Sequence, residues 1–278
     1  MNTAVLHGLP NSGAETIAEQ FVRARLAGQS IPQFPGTVPR TLADAYRCQD
    51  FAIQRFPDDI VGWKVARVPA PFFQQFPEER LVGPVFRRNL RVARVGQVVD
   101  FPIFQGGFAA VEAEIVLRVN EDAPANRTNW TLDEAAELVR SFHLGVETAS
   151  SPLATLNDLG PGAVIADFGN NWGVVVGSQV GEWRSFEELV VLSFIEDSFV
   201  GRGTAFIRQG ALGGLVFALN KCAQRGRPLR AGDVISTGAI TGIHEILVGQ
   251  QSRHVFEGCG EVECRGVRAT EYVSDVTR

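Results

Sequence analysis

Three carboxylates carry the chemistry that this sequence allows. Glu112 and Glu114 lie two residues apart in Val111-Glu112-Ala113-Glu114-Ile115-Val116-Leu117-Arg118-Val119, and Glu147 sits in the otherwise apolar His143-Leu144-Gly145-Val146-Glu147. Residues two apart on a strand leave the same face, here roughly 7 Å from one another by the strand rise. Two like charges that close repel unless water or a cation screens them. An all-carboxylate set suits a hard cation such as Mg2+, Mn2+ or Ca2+ and argues against zinc or copper. Spacing alone leaves open whether Glu147 folds back beside the pair. It leaves equally open a plain amphipathic strand whose solvated face carries Glu112, Glu114 and Arg118.

The elements that must position these groups follow from periodicity. Val111, Ala113, Ile115, Leu117 and Val119 alternate strictly, which predicts a strand with one buried face. Thr131-Leu132-Asp133-Glu134 has the form of a capping box and predicts a helix to about Phe142, with Glu147 on a strand just after it. Upstream, Ser12-Gly13-Ala14-Glu15 reads as another capping box, opening a helix that stops near Gly28. Thr41 caps a second helix that Pro57 ends. Val68 to Gly83 holds three prolines and three phenylalanines and reads as a lid or site loop. Val164–Val180 and Leu189–Phe199 read as strands, the first broken at Gly169-Asn170-Asn171 and the second turning at Gly201-Arg202-Gly203. Leu212, Leu215, Val216, Leu219 and Ala223 make a helical stripe capped by Gly226. Val234–Thr237 and the stretch from Val255 to Val273 complete a β-rich chain with few helices and no βαβ rhythm. The expected class is α+β, with a helical N-terminal lobe over residues 1–60 and a β-rich catalytic core over 61–278.

Composition narrows the function classes. With 278 residues, 45% apolar and 21% charged, the chain is globular and long enough for a large core. A formal charge of −5 with no Lys/Arg run argues against nucleic acid. No apolar run approaches the roughly 20 residues of a membrane span. MNTAVLHGLPNSG has neither a basic n-region nor a long apolar h-region, so the expected location is the cytoplasm. Cys48, Cys222, Cys259 and Cys264 form no C-x-x-C pair and read as reduced thiols.

Beyond these readings, the chain resembles a family. Val-Glu-Ala-Glu-Ile at 111–115, Gly-Val-Glu at 145–147 and Ala-Asp at 166–167 look like the fumarylacetoacetate hydrolase superfamily, nearest its 2-keto-4-pentenoate hydratase and 4-oxalocrotonate decarboxylase branch. Gly62-Trp63-Lys64-Val65, Gly201-Arg202-Gly203, and the helix at 212–226 followed by Pro228-Leu229-Arg230-Ala231-Gly232-Asp233 and Thr237-Gly238 match in the same order. The resemblance implies a core of partly rolled mixed sheets, Glu112, Glu114 and Glu147 as ligands of Mg2+ or Mn2+, and Lys64 facing the substrate. It also implies a small 2-oxo acid or dienol as substrate and a homo-oligomer. Asp167, Thr237 and Gly238 are the expected substrate-binding residues. Where the group carries an acid before a Gly-x-(Leu/Val)-Phe turn, Glu78 or Glu79 is the nearest candidate, with Glu79 taken as catalytic. Leu81 falls where the simplest register puts that acid. A Ser-Arg pair common after the third ligand is replaced by Ser150-Ser151-Pro152.

The expected activity is that of a metal-dependent hydratase, a lyase adding water to a 2-oxo-3-enoate formed from a 2-hydroxy-2,4-dienoate in aromatic catabolism. Decarboxylation of the 4-oxalocrotonate type and acylpyruvate-type C–C hydrolysis are rivals in the same site, and a non-catalytic partner subunit is the rival of another class. Lys64 next to a bound cation is expected to have a pKa below about 10.4.

Overall fold

In the computed structural model, residues 8–272 are described. The chain begins with helices α1 (Asn11–Ala27) and α2 (Leu42–Arg55), then strands β1 (Ile60–Arg67), β2 (Arg80–Phe86), β3 (Leu90–Val92) and β4 (Val98–Ile103). The long strand β5 (Phe108–Val119) follows, then α3 (Leu132–Glu137), β6 (Val139–Ser151), α4 (Pro161–Ala166) and β7 (Asn171–Gln179). After these come β8 (Glu188–Ile195), β9 (Ser198–Phe206), α5 (Gly213–Gln224), β10 (Val234–Ser236), β11 (His244–Glu245), β12 (Gln251–Phe256) and β13 (Gly260–Arg268).

An eight-stranded mixed sheet runs β2-β1-β10-β5-β6-β7-β3, with β11 also on β5, and a five-stranded sheet runs β4-β13-β12-β8-β9. The fold is α+β with curled mixed sheets and a minority of helix. β5 and β6 form the axis of the larger sheet, antiparallel along almost their whole length. Val111, Ala113, Ile115 and Leu117 point with Phe142, Leu144 and Val146 into the main core. On the opposite face Val116 joins Val85, Val174, Val176 and Val234 in a separate apolar cluster. Both faces of β5 are therefore buried, so the solvated Glu-Glu-Arg face that alternation allowed is not what forms.

Several local expectations shift for identifiable reasons. Helix α1 is capped at Pro10 with no side-chain bond, so Ser12 lies inside it, while Gly28 ends it in the left-handed conformation as expected. Thr41 and the Thr131/Glu134 box do cap their helices. Helix α3, however, stops at Glu137, because Val139-Arg140-Ser141-Phe142 already pairs with β5. Apolar residues 161–166 form a helix rather than the start of a strand. Short apolar runs do not separate the two by pattern. Inside the 68–83 loop there is one 3-10 turn, Ala70–Phe72, and β2 begins at Arg80. Gly201-Arg202-Gly203 is not a turn but part of β9. A Cβ on Gly203 would stand 2.0 Å from the Ile240 carbonyl oxygen, so the glycine lets the loop after β10 lie against the second sheet.

Arg25 ties α1 to the larger sheet. Its side chain is fully buried, with Nε 2.6 Å from Asp167 Oδ1, and it donates to the carbonyls of Ser150, Asp167 and Asn171. Phe104, Phe168 and Trp172 surround the guanidinium with ring faces. Ser151 donates to the other Asp167 oxygen at 2.6 Å. Removing one partner of such a pair strands a buried charge. Arg25→Met should therefore destabilise the protein by about 3–5 kcal/mol in chemical denaturation, whereas a loss below about 1 kcal/mol would be the cost of a surface pair.

Candidate metal and substrate site

The register of β5 against β6 sets Glu112 directly opposite Glu147, with Glu114 two residues along the same face. One carboxylate oxygen from each of the three lies within 4.8 Å of the others. All three are buried, Glu114 and Glu147 completely. Lys64 reaches the cluster from two strands away: Lys64 pairs with Ser236 across β1/β10, and Ser236 with Val116 across β10/β5. Its Nζ stands 2.9 Å from Glu147 Oε2, and the residue is 2% exposed.

Neutral donors complete the shell. Ser236 Oγ donates to Glu114 Oε2 at 2.5 Å, and the Gly238 N–H donates to the same oxygen at 2.9 Å. Asn171 Nδ2 donates to Glu147 Oε1 at 3.0 Å. Glu114 Oε1 has no hydrogen-bond partner among the described residues. Burial, then Glu147, raises the Glu112 pKa from 4.5 to about 8. Burial, then Glu147 and Glu112, holds Glu114 well above the usual carboxylate range. Burial pulls the Lys64 ammonium down, but Glu147, Glu112 and Glu114 outweigh it and the net direction is up. The direction is opposite to the fall expected from the sequence, because three carboxylates around the ammonium outweigh its burial. Three crowded acids, one ammonium and an orphaned oxygen make a set that fits a hard divalent cation.

Other expected residues fall in different places. Thr237 donates its hydroxyl to the Ile115 carbonyl at 2.8 Å, and Gly238 spends its N–H on Glu114, so both brace the cluster from behind. Asp167 is taken up on both oxygens by Arg25 and Ser151 and does not line the cavity beside Lys64. Glu79 is exposed ahead of β2, and Glu78 pairs with Lys221; neither reaches the site. Leu81, the first inward residue of β2, takes that place in the wall. Ser236, Asn171 and Arg25 were not singled out by sequence. The position of Ser236 just before Thr237-Gly238 was the one available signal.

The cavity has a volume of about 240 Å³ and opens over Lys64 and Glu112. Leu81, Pro161, Val164 and Ile243 supply apolar wall, and Arg67, Asn157 and Asn170 supply polar groups.

No protein-family model matches the sequence, and no curated protein is similar to it at a significant level. Solved structures do match. Two are 4-oxalocrotonate decarboxylase from Pseudomonas putida G7, one complexed with calcium and acetate (TM-score 0.74) and one with magnesium and adipate (TM-score 0.73). Each is 22% identical, and the match covers 93% of this chain and 99% of that one. Fumarylpyruvate hydrolase from Pseudomonas aeruginosa, in complex with Mn2+ and pyruvate, matches with a TM-score of 0.54 at 16% identity, over 74% of this chain and 88% of that one.

The chain has the fumarylacetoacetate hydrolase-like fold.

Within that fold, the electrostatics of the site set a dependence on pH. A carboxylate whose native pKa lies above its unfolded value binds its proton more tightly when folded, so its contribution is present below the unfolded pKa and is lost as pH rises. For Glu112 the window runs from 4.5 to about 8. A cation needs the same groups ionised, so it stabilises more as pH rises. In chelator, Tm should fall as pH rises from 4.5 to about 8, and excess Mg2+ should raise Tm by more at the higher pH. A Mg2+ shift that is absent, or larger in acid, contradicts this account of the cluster.

Proposed function

We propose that the protein is a Mg2+- or Mn2+-dependent member of the fumarylacetoacetate hydrolase superfamily that decarboxylates a small 2-oxo acid, one whose leaving carboxylate lies at the far end of a conjugated chain. The observation that carries this reading is the make-up of the cavity wall. Among the described residues, Lys64, Glu112 and Arg67 are the only ionisable side chains that line it. Addition of water, or attack of water on a C–C bond, calls for a base placed to take a proton from that water. Glu112 would be committed to the cation, Lys64 is an ammonium ion paired with Glu147, and an arginine does not deprotonate. Leu81 stands where an acid would be needed. Loss of CO2 needs neither water nor base, and on these grounds decarboxylation replaces hydration as the preferred reaction.

Glu112, Glu114 and Glu147 would hold the ion, and a bound divalent ion supplies Lewis-acid stabilisation of negative charge at the 2-oxygen of the substrate. The neighbours complexed with magnesium, calcium or Mn2+ support that choice of ion. Lys64 adds a fixed positive charge on the same face. The bond to the leaving carboxylate breaks, its electron pair passes along the conjugated chain to the 2-oxygen, and CO2 departs. Lys64 Nζ donates the one proton that the dienol product requires and recovers it from solvent. Leu81, Pro161 and Val164 keep water off the chain, so hydration does not compete.

The test is turnover of 4-oxalocrotonate with Mg2+, following CO2 release and dienol absorbance together. We expect metal-dependent CO2 release, and Lys64→Met should lower kcat by about 10²–10⁴-fold with little change in KM. Consumption of 2-hydroxypenta-2,4-dienoate without any CO2 release from the dicarboxylate would establish the hydratase reading instead. A kcat within a few-fold of wild type would remove Lys64 from the mechanism.

A further inference from the structure

The cavity has a second polar end that the cation chemistry does not use. Arg67, at the last position of β1, lines it and is exposed, and no carboxylate lies within ion-pair distance among the described residues. Directly across the β1/β2 ladder stands another cation, Arg80. Like charges opposite one another on a sheet are destabilising. Burial and the facing Arg67 guanidinium lower the Arg80 pKa. Among the described residues the Arg80 side chain makes two long bonds, 3.3 Å to the Thr237 carbonyl and 3.5 Å to that of Gln209.

Asn157 and Asn170 line the same cavity, with Asn170 Nδ2 3.4 Å from Asn157 Oδ1. Asn170 is 4% exposed, and its Oδ1 is buried with no hydrogen-bond partner among the described residues. Phe168, Gly169 and Asn170 run in succession with φ of 55°, 70° and 63°. For two non-glycine residues that conformation is costly, and such strain concentrates where a side chain must be aimed. The Arg25–Asp167 pair holds the residue just before this turn, so the strain is supported from behind. An amide that half-satisfies its bonds, in one cavity with a guanidinium that has no carboxylate partner among the described residues, is a place prepared for a polar ligand group. If both amides turn over together, their mutual bond survives and the buried, unpartnered atom of Asn170 becomes an Nδ2 donor.

We propose that Arg67, Asn157 and Asn170 form a subsite for the second carboxylate of a dicarboxylic 2-oxo acid, and that Arg67 determines the preference for diacids over monoacids. The substrate class rests on the reaction proposed above, but the subsite is testable without turnover. Arg67 holds the substrate in its charged form, and that charge disappears as CO2 forms, so the contact favours the bound substrate over the transition state, and its loss raises KM without lowering kcat.

The experiment is calorimetric binding of adipate and of hexanoate, which share a chain length and do not react, to the Mg2+-loaded protein. Wild type should bind adipate roughly tenfold or more tightly than hexanoate, and the margin should shrink with added salt. Arg67→Met, at an exposed position that leaves the fold intact, should bring adipate to the level of hexanoate while leaving hexanoate unchanged. Asn170→Asp keeps the shape, puts a negative charge in the subsite and should do the same. Equal affinities in wild type, no binding of either acid, or an equal loss of both in the variants overturns the subsite. If adipate is preferred and lost with Arg67 while 4-oxalocrotonate is not decarboxylated, the reaction class is at fault and the subsite stands.

Discussion

Three buried carboxylates set against one buried ammonium are the constraint on which the rest of this structure depends. At separations within 4.8 Å and an effective dielectric near 20, each pair of ionised carboxylates repels by about 3 kcal/mol or more. Lys64 offsets part of that, and Ser236, Gly238 and Asn171 each donate to one of the acids. The balance is still short of positive charge: Glu112 and Glu114 hold their protons far above the usual range, and Glu114 keeps one oxygen unpaired. A core packed for stability alone would place apolar side chains there, as it does a few residues along the same face at Val116, Val174 and Val234.

The topology follows from the need to bring these groups to one face. Lys64, Glu112, Glu114, Glu147 and Ser236 come from four strands that are neighbours in the order β1-β10-β5-β6 but far apart in sequence. Parallel pairing of β1 with β10 aligns Lys64 with Ser236, and antiparallel pairing of β5 with β6 aligns Glu112 with Glu147. A one-residue slip of either would turn its side chain to the other face. The turn after α4 is fixed independently by Arg25 from the first helix, so Asn171 meets Glu147 and Asn170 meets the cavity. The N-terminal helix thus supports the site without touching it.

How much of this could be read from the chain depended on how local the cause was. The strand carrying Glu112 and Glu114 was legible because alternation is local, and so were Thr41 and the Thr131/Glu134 box. The convergence of Glu147 was legible through the ordered motifs and not through spacing, because register is a property of two strands together. Helix α3 was extended too far because Leu138, Val139 and Phe142 fit a helical stripe as well as a strand, and pairing with β5 decided it. Asp167 sits 142 positions from its partner Arg25, and nothing near either residue signals the pair. Glu79 looked available because acids are conspicuous in sequence. The structure instead starts β2 one residue later and turns Leu81 inward.

The central claim is that the three carboxylates exist to hold one divalent cation, and titration with Mn2+ followed by electron paramagnetic resonance tests it most directly. The sharp signal of free aqueous Mn2+ should be suppressed to a stoichiometry of one ion per chain, displaced by Mg2+, and Glu114→Gln should weaken that binding strongly while the circular dichroism spectrum stays that of wild type. Mn2+ that remains free in the presence of the folded wild-type protein, or binds the Glu114→Gln variant equally well, would contradict the account and leave the buried carboxylates without their cation.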